Sequence, residues 1–279
     1  DRFEVHRHRD MWVLTLTDGC GLSPSSRLAP KAAIEGFWRY FNKQIQKNHD
    51  LLNTHKIANY MLQATKAAHF NVFWDAYTKN KNNLSIYRTC LEKELKVLRA
   101  SMTLSSENSE ATHNRIERIA EELDWLEKAL DGNLLAQKKI VSKEWHHLLH
   151  RFYIGSTTFM AASLVKAASS SSSAPYYLIS INIGDGQAYL FRDNSVKVIT
   201  KETREDASNV RDPGGRIGLT STSFLEADLR NLQLALTPCH EGDLLFFVTD
   251  GVADNLDPER LGLKPNQNSV FGCSAERIK

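Results

Sequence analysis

The sequence predicts an α+β layered fold, and three observations carry that expectation. The first 22 residues read as strand and turn, residues 30–150 read as helix, and everything from residue 152 reads as short strands. Runs segregated in this way favour layered α+β architecture over alternating βαβ units.

Each zone has its own signature. Near the N-terminus Phe3 and Val5 alternate with polar neighbours, and Trp12-Val13-Leu14-Thr15-Leu16 is a β-prone run that ends at Asp18-Gly19-Cys20-Gly21. Pro30 suits the first turn of a helix carrying Ile34, Phe37, Trp38 and Phe41 at spacings of three and four. Two further amphipathic stripes follow. One is Leu91, Leu95, Leu98 and Met102; the other is Ile116, Ile119, Leu123, Leu126 and Leu130, with Gly132 as its C-cap. A polar segment, Ser105 to Ser109, separates them as a loop. The stripes fit core-packing helices or an antiparallel helical hairpin standing outside the core, and they are too short for a coiled coil. Short β-prone runs then recur at Thr157–Val165, Tyr176–Ile183, Gln187–Arg192, Val196–Thr200 and Leu244–Thr249, with the serine tract Ser169–Ser173 as a hairpin loop.

Composition narrows the function classes. The 35 basic and 33 acidic residues nearly cancel, so bulk charge gives no footprint for nucleic acid or an anionic membrane. No apolar stretch approaches the roughly 20 residues that span a bilayer. Cys20, Cys90, Cys239 and Cys273 form no CxxC pair, which predicts reduced thiols and a cytoplasmic or nuclear location. There is no signal-peptide pattern, and the opening Asp-Arg-Phe without Met suggests a trimmed chain.

An Asp meets Gly at the end of a β-prone run three times: Thr17-Asp18-Gly19, Gly184-Asp185-Gly186 and Thr249-Asp250-Gly251. Glycine lets the backbone turn sharply or approach a ligand. Carboxylates gathered at strand ends suit Mg²⁺ or Mn²⁺, which take oxygen ligands and keep several waters. Asp-Gly is also a common turn dipeptide, so spacing leaves both readings open.

Four ordered blocks add a resemblance. Leu14-Thr15-Leu16-Thr17-Asp18-Gly19-Cys20-Gly21, Gly155-Ser156-Thr157-Thr158, Ile181 to Leu190, and Glu241 to Asp254 are similar to successive motifs of the metal-dependent type 2C serine/threonine protein phosphatases. The resemblance implies a β-sandwich of two antiparallel sheets flanked by helices, with two or more Mg²⁺ or Mn²⁺ ions at one edge. On this likeness 1–279 is one phosphatase-like domain lacking both ends, and 42–150 is a helical region containing an insertion. The implied metal residues are Asp18 (bridging), the Gly19 carbonyl, Asp250, and Asp185 with Asp254; Asp1 would hold metal-associated water. The implied reaction is hydrolysis of phosphoserine or phosphothreonine in a phosphoprotein substrate. It needs no protein nucleophile, because a water activated by two cations attacks phosphorus in line.

The chain also departs from the pattern. Cys20 stands where many relatives carry a histidine proposed as general acid, although bacterial-type members carry Met. The family's phosphate-binding Arg and its closing Asp-Asn have no match here. A catalytically degenerate pseudophosphatase, acting as a binding or regulatory module, is therefore the alternative. Arg211 and Arg216, in Arg211-Asp212-Pro213-Gly214-Gly215-Arg216, fall where relatives carry a flap beside the site and are candidates to grip phosphate, or are solvated turn residues. His146 and His150 share a helix face, but no HExxH pattern completes a zinc site there. The helical region is the candidate surface for a docking partner.

Overall fold

The structure, a computed structural model, describes residues 1–21, 24–48, 53–79, 81–104, 110–131, 133, 135–137, 139, 154–167, 174–200, 212–219 and 226–256. Arg211, the Ser105–Ser109 loop, Gly132, the serine tract, His146, His150 and Cys273 lie outside those residues. The described residues form two compact units, Asp1–Val72 with Gly155–Lys279, and Phe73–Ile154.

The first unit is built on an antiparallel five-stranded sheet. Its strands are β1 (Arg2–His8), β2 (Met11–Thr17), β4 (Phe159–Lys166), β5 (Tyr176–Ile183) and β9 (Gln233–Cys239), in the order β1-β2-β4-β5-β9. A second sheet pairs β10 (Leu244–Val248) with β6 (Gln187–Arg192) and β6 with β7 (Ser195–Val198). β3 (Ser156–Thr157) and β8 (Ile217–Gly218) form a short ladder of their own. The two larger sheets meet through Ala162, Leu178 and Cys239 on one side and Leu190 on the other, with Leu164, Tyr176, Ile199, Leu245 and Phe247 around them. The fold is the expected α+β sandwich.

Strand alternation decides which side chains face the helices. In β2, Met11, Val13, Thr15 and Thr17 are buried while Trp12 is exposed. That buried face meets α1 (Pro24–Asn48): the Trp38 indole N–H donates to Thr15 Oγ1 at 3.0 Å, and Phe37 lies 5.5 Å from Phe159 between ring centroids. β4 and β5 are buried on both faces, hence their near-continuous apolar runs. α1 crosses α2 (Thr54–Lys79) closely at Gly36, where a Cβ would fall 2.5 Å from the Asn71 side chain.

Pro30 corrects one expectation. The helix begins at Pro24, so Pro30 lies inside α1 rather than in its first turn. Proline offers no N–H to the carbonyl one turn back, that of Ser26. That carbonyl is turned toward Gly19, where a Cβ would sit 2.0 Å from it. Helix α1 is thereby brought against the end of β2.

The second unit contains the end of α2 with α3 (Lys81–Leu104) and α4 (Glu110–Leu130). The apolar stripes fall on these helices as expected. Leu91, Ile119, Leu126 and Ala129 are buried, whereas Leu130 at the end of α4 is exposed. Among the described residues no helix is long and apolar enough to cross a membrane.

Candidate metal and phosphate site

The site starts where β2 stops. The Asp18 carbonyl accepts from the Thr158 N–H at 2.8 Å and from Thr157 Oγ1 at 2.6 Å, and the Cys20 N–H donates to the Ser156 carbonyl at 2.9 Å. Thr158 Oγ1 in turn accepts from the Asp18 N–H at 3.2 Å. The Gly155-Ser156-Thr157-Thr158 block is thus the clamp that holds the Asp18-Gly19-Cys20 turn. Gly19 is demanded at this point by the approach of the Ser26 carbonyl.

Asp250 arrives from the other sheet. It follows β10 and opens α5 (Asp250–Leu256), whose first turn is closed by the Val252 and Ala253 N–H groups donating to the Thr249 carbonyl. The Asp250 carboxyl adjoins that of Asp18. Burial first, then the neighbouring Asp250 carboxyl, pushes the Asp18 carboxyl up to about 6. Asp1 is also here: its Oδ2 lies 3.5 Å from Thr249 Oγ1.

The turns that carry Asp185 and Arg216 come to the same place: a Cβ on Gly184 would lie 2.6 Å from the side chain of Thr158, which clamps Asp18, and 3.2 Å from the Gly215 carbonyl. Asp185 is 9% exposed, carried by the Gly184–Gly186 turn between β5 and β6. Arg216 precedes β8 and exchanges two backbone hydrogen bonds with Asp228. Its Nε is buried and has no hydrogen-bond partner among the described residues. Asp254 lies one turn beyond Asp250, on the same side of α5. Burial pushes the Cys20 thiol up to about 12, outweighing the opposing pull of Arg216 and a hydrogen bond with Ser156. Cys20 is therefore a neutral thiol near pH 7 and a poor nucleophile.

The structure brings Asp18 and Asp250 into contact and sets Asp1, Asp185 and Arg216 around them. Among the described residues it gathers no group of three or more His, Cys, Asp or Glu able to enclose a metal ion. The chemistry of the pair still fits a hard cation. Two carboxylates close enough to share a proton repel each other when both ionise, and Mg²⁺ is commonly held by only one or two carboxylates plus water.

A sequence profile described as protein phosphatase 2C matches residues 1–278. The chain belongs to that family. A PP2C-like domain-containing protein of Drosophila melanogaster is 26% identical over 147 residues, spanning 49% of this chain and 21% of that protein. The chain thus matches about a fifth of that relative's length. Among solved structures, the S. agalactiae serine/threonine phosphatase is similar over 91% of this chain and 74% of its own, with 11% identity and a TM-score of 0.47. A stage II sporulation E family protein from Thermanaerovibrio acidaminovorans is similar over 90% and 79%, with 12% identity and a TM-score of 0.43.

Sequence reasoning passed over the residues that support the site. Asn182, 2% exposed, donates to the Gly184 and Gly186 carbonyls at 3.2 and 3.0 Å and so ties the Asp185 turn from within. His69 on α2 accepts the Gly218 N–H at 3.0 Å, anchoring the ladder that follows Arg216. A lone Asn or His in a helix or strand gives no signal of such a role. Only the fold places its partner.

Proposed function

We propose that this chain is a metal-dependent phosphomonoesterase acting on phosphoserine or phosphothreonine in proteins. The carrying observation is the adjacent Asp18–Asp250 pair, two carboxylates from different sheets meeting in a family whose members are phosphatases. Asp18, the Gly19 carbonyl and Asp250 would hold Mg²⁺ or Mn²⁺, with Asp185 and Asp254 on its outer side. Such a cation supplies Lewis acidity, making water a nucleophile near neutral pH and offsetting charge on the phosphoryl oxygens. Arg216 grips a phosphoryl oxygen, which gives its buried Nε a charged acceptor. Asp1 orients water, and Cys20 stays a spectator thiol.

Turnover of a phosphoserine peptide in Mn²⁺ tests the reading. Asp18→Asn and Asp250→Asn are each expected to lower kcat about a hundredfold or more, the scale of losing a main electrostatic stabiliser. Unchanged turnover in either variant refutes the ligand assignment. The absence of a complete acidic cage among the described residues, with a neutral Cys20 at the acid position, favours a second reading: a binding module without turnover. Calorimetric titration separates the two. Two or more Mn²⁺ ions bound at micromolar strength support the enzyme, and no binding supports the module.

A further inference from the structure

Asn231 stands just before β9, is 4% exposed, and uses both ends of its amide. Its Oδ1 accepts the Gly184 N–H at 2.9 Å, and its Nδ2 donates to the Gly184 carbonyl at 2.9 Å and to the Pro213 carbonyl at 3.2 Å. The side chain therefore pairs with Gly184 much as a neighbouring strand would, while reaching the turn that leads to Arg216. Packing on that second side is tight: a Cβ on Gly215 would fall 2.2 Å from Asn231 Oδ1. The two turns also touch each other, since a Cβ on Gly184 would lie 3.2 Å from the Gly215 carbonyl. Gly184 sits at φ +111°, where a side chain would be strained regardless of space.

An outer brace reinforces the second turn. Arg230 forks onto Asp212 at 2.9 and 3.2 Å and onto Asp228 through two contacts of 2.9 Å. Asp212 Oδ1 accepts the Gly214 N–H at 3.0 Å. Asp185 lies within the first turn and Arg216 directly follows the second.

We propose that Asn231 is a positioning residue that locks the Asp185 turn to the Arg216 turn, so that the two charges keep a fixed separation. Only an amide supplies an acceptor for one backbone N–H and donors for two carbonyls in that volume. Asp in its place keeps the acceptor but sets a carboxylate against two carbonyl oxygens. Ala leaves the buried Gly184 N–H and Pro213 carbonyl without this partner.

Hydrogen–deuterium exchange of the whole chain, as wild type, Asn231→Asp and Asn231→Ala, tests the lock independently of turnover. Both variants are expected to exchange about tenfold faster at amides 184–186 and 214–216 together, as befits loss of a buried polar clip, with β2 and β4 unchanged. Acceleration in one turn alone, no acceleration, or a uniform rise across the sheets overturns the proposal. The kinetic arm rests on the phosphatase reading. There the variants raise KM for an aryl phosphate and the Mn²⁺ concentration for half-maximal rate together, and a fall in kcat alone overturns the lock. If wild type shows neither turnover nor Mn²⁺ binding, the phosphatase reading fails, and exchange still decides the lock.

Discussion

Around the candidate site the sheet unit relies on buried polar clips, whereas most polar contacts of the helical unit are exposed. In the sheet unit the clips are aimed at backbone: Thr157 on the Asp18 carbonyl, Asn182 and Asn231 on Gly184, His69 on the Gly218 N–H. In the helical unit one such clip, Gln137 on the Ala129 carbonyl, is seen among the described residues beside exposed ion pairs along and between helices, such as Arg88–Glu92, Arg115–Glu94 and Lys139–Glu121. Buried clips fix geometry because an unsatisfied buried group is costly, so few alternative arrangements survive. Exposed pairs contribute little and tolerate rearrangement. The helical unit is instead specified by its apolar stripes, and the sheet unit by what each turn must reach.

The largest break in this contrast is Gly19→Ala. Its methyl would lie 2.0 Å from the Ser26 carbonyl oxygen, a backbone atom with no side-chain freedom to move aside. A loss of about 3 kcal/mol or more is expected, read from urea midpoints, and little change would mean α1 withdraws freely from β2. In the helical unit, Ile119→Ala should cost about 2–4 kcal/mol, because the fully buried side chain leaves a cavity.

Asp18→Asn acts in the other direction. A carboxyl raised to about 6 binds its proton more tightly in the folded state than in the unfolded one. The stability it contributes is full below the unfolded value near 3.8 and is lost as pH rises through about 6. Without divalent cations, Asn is therefore expected to stabilise the fold at pH 7 by about 1 kcal/mol, allowing for solvent screening of a partly exposed group. It should also flatten the melting-temperature profile between pH 4 and 6, whereas an unchanged profile would remove Asp18 as its source. The smallest effect is Arg115→Ala, which breaks an exposed pair with Glu94 at 2.7 Å and should cost about 0.5 kcal/mol or less, falling further in high salt.

Periodicity carried much of this molecule. Tyr176–Ile183 and Gln187–Arg192 have the bounds that their β-branched and aromatic runs imply, and the stripes at Leu91 and Ile119 mark α3 and α4. The three Asp-Gly junctions were visible because glycine and acid at strand ends are a local pattern. β9 was not visible. It exposes Leu234 and Leu236 and contains Pro238, which is tolerated because β9, among the described residues, lies at the edge of its sheet and pairs with β5 alone. Pro24 rather than Pro30 starts α1, and the Ser26 carbonyl, to which Pro30 offers no N–H, packs against Gly19.

The sequence by itself determined the α+β order, the strands with clean alternation, the helical stripes and the candidate acids Asp18, Asp185 and Asp250. Those features follow from residues a few positions apart, whose periodicity and turn chemistry are set by local backbone geometry. Tertiary structure alone decided that Asp18 meets Asp250, that the turns carrying Asp185 and Arg216 come together, and that Asn231 joins Gly184 to Pro213. These contacts join residues far apart in the chain. A carboxyl's proton affinity or an amide's partners depend on what packing places beside them, and no local pattern encodes that.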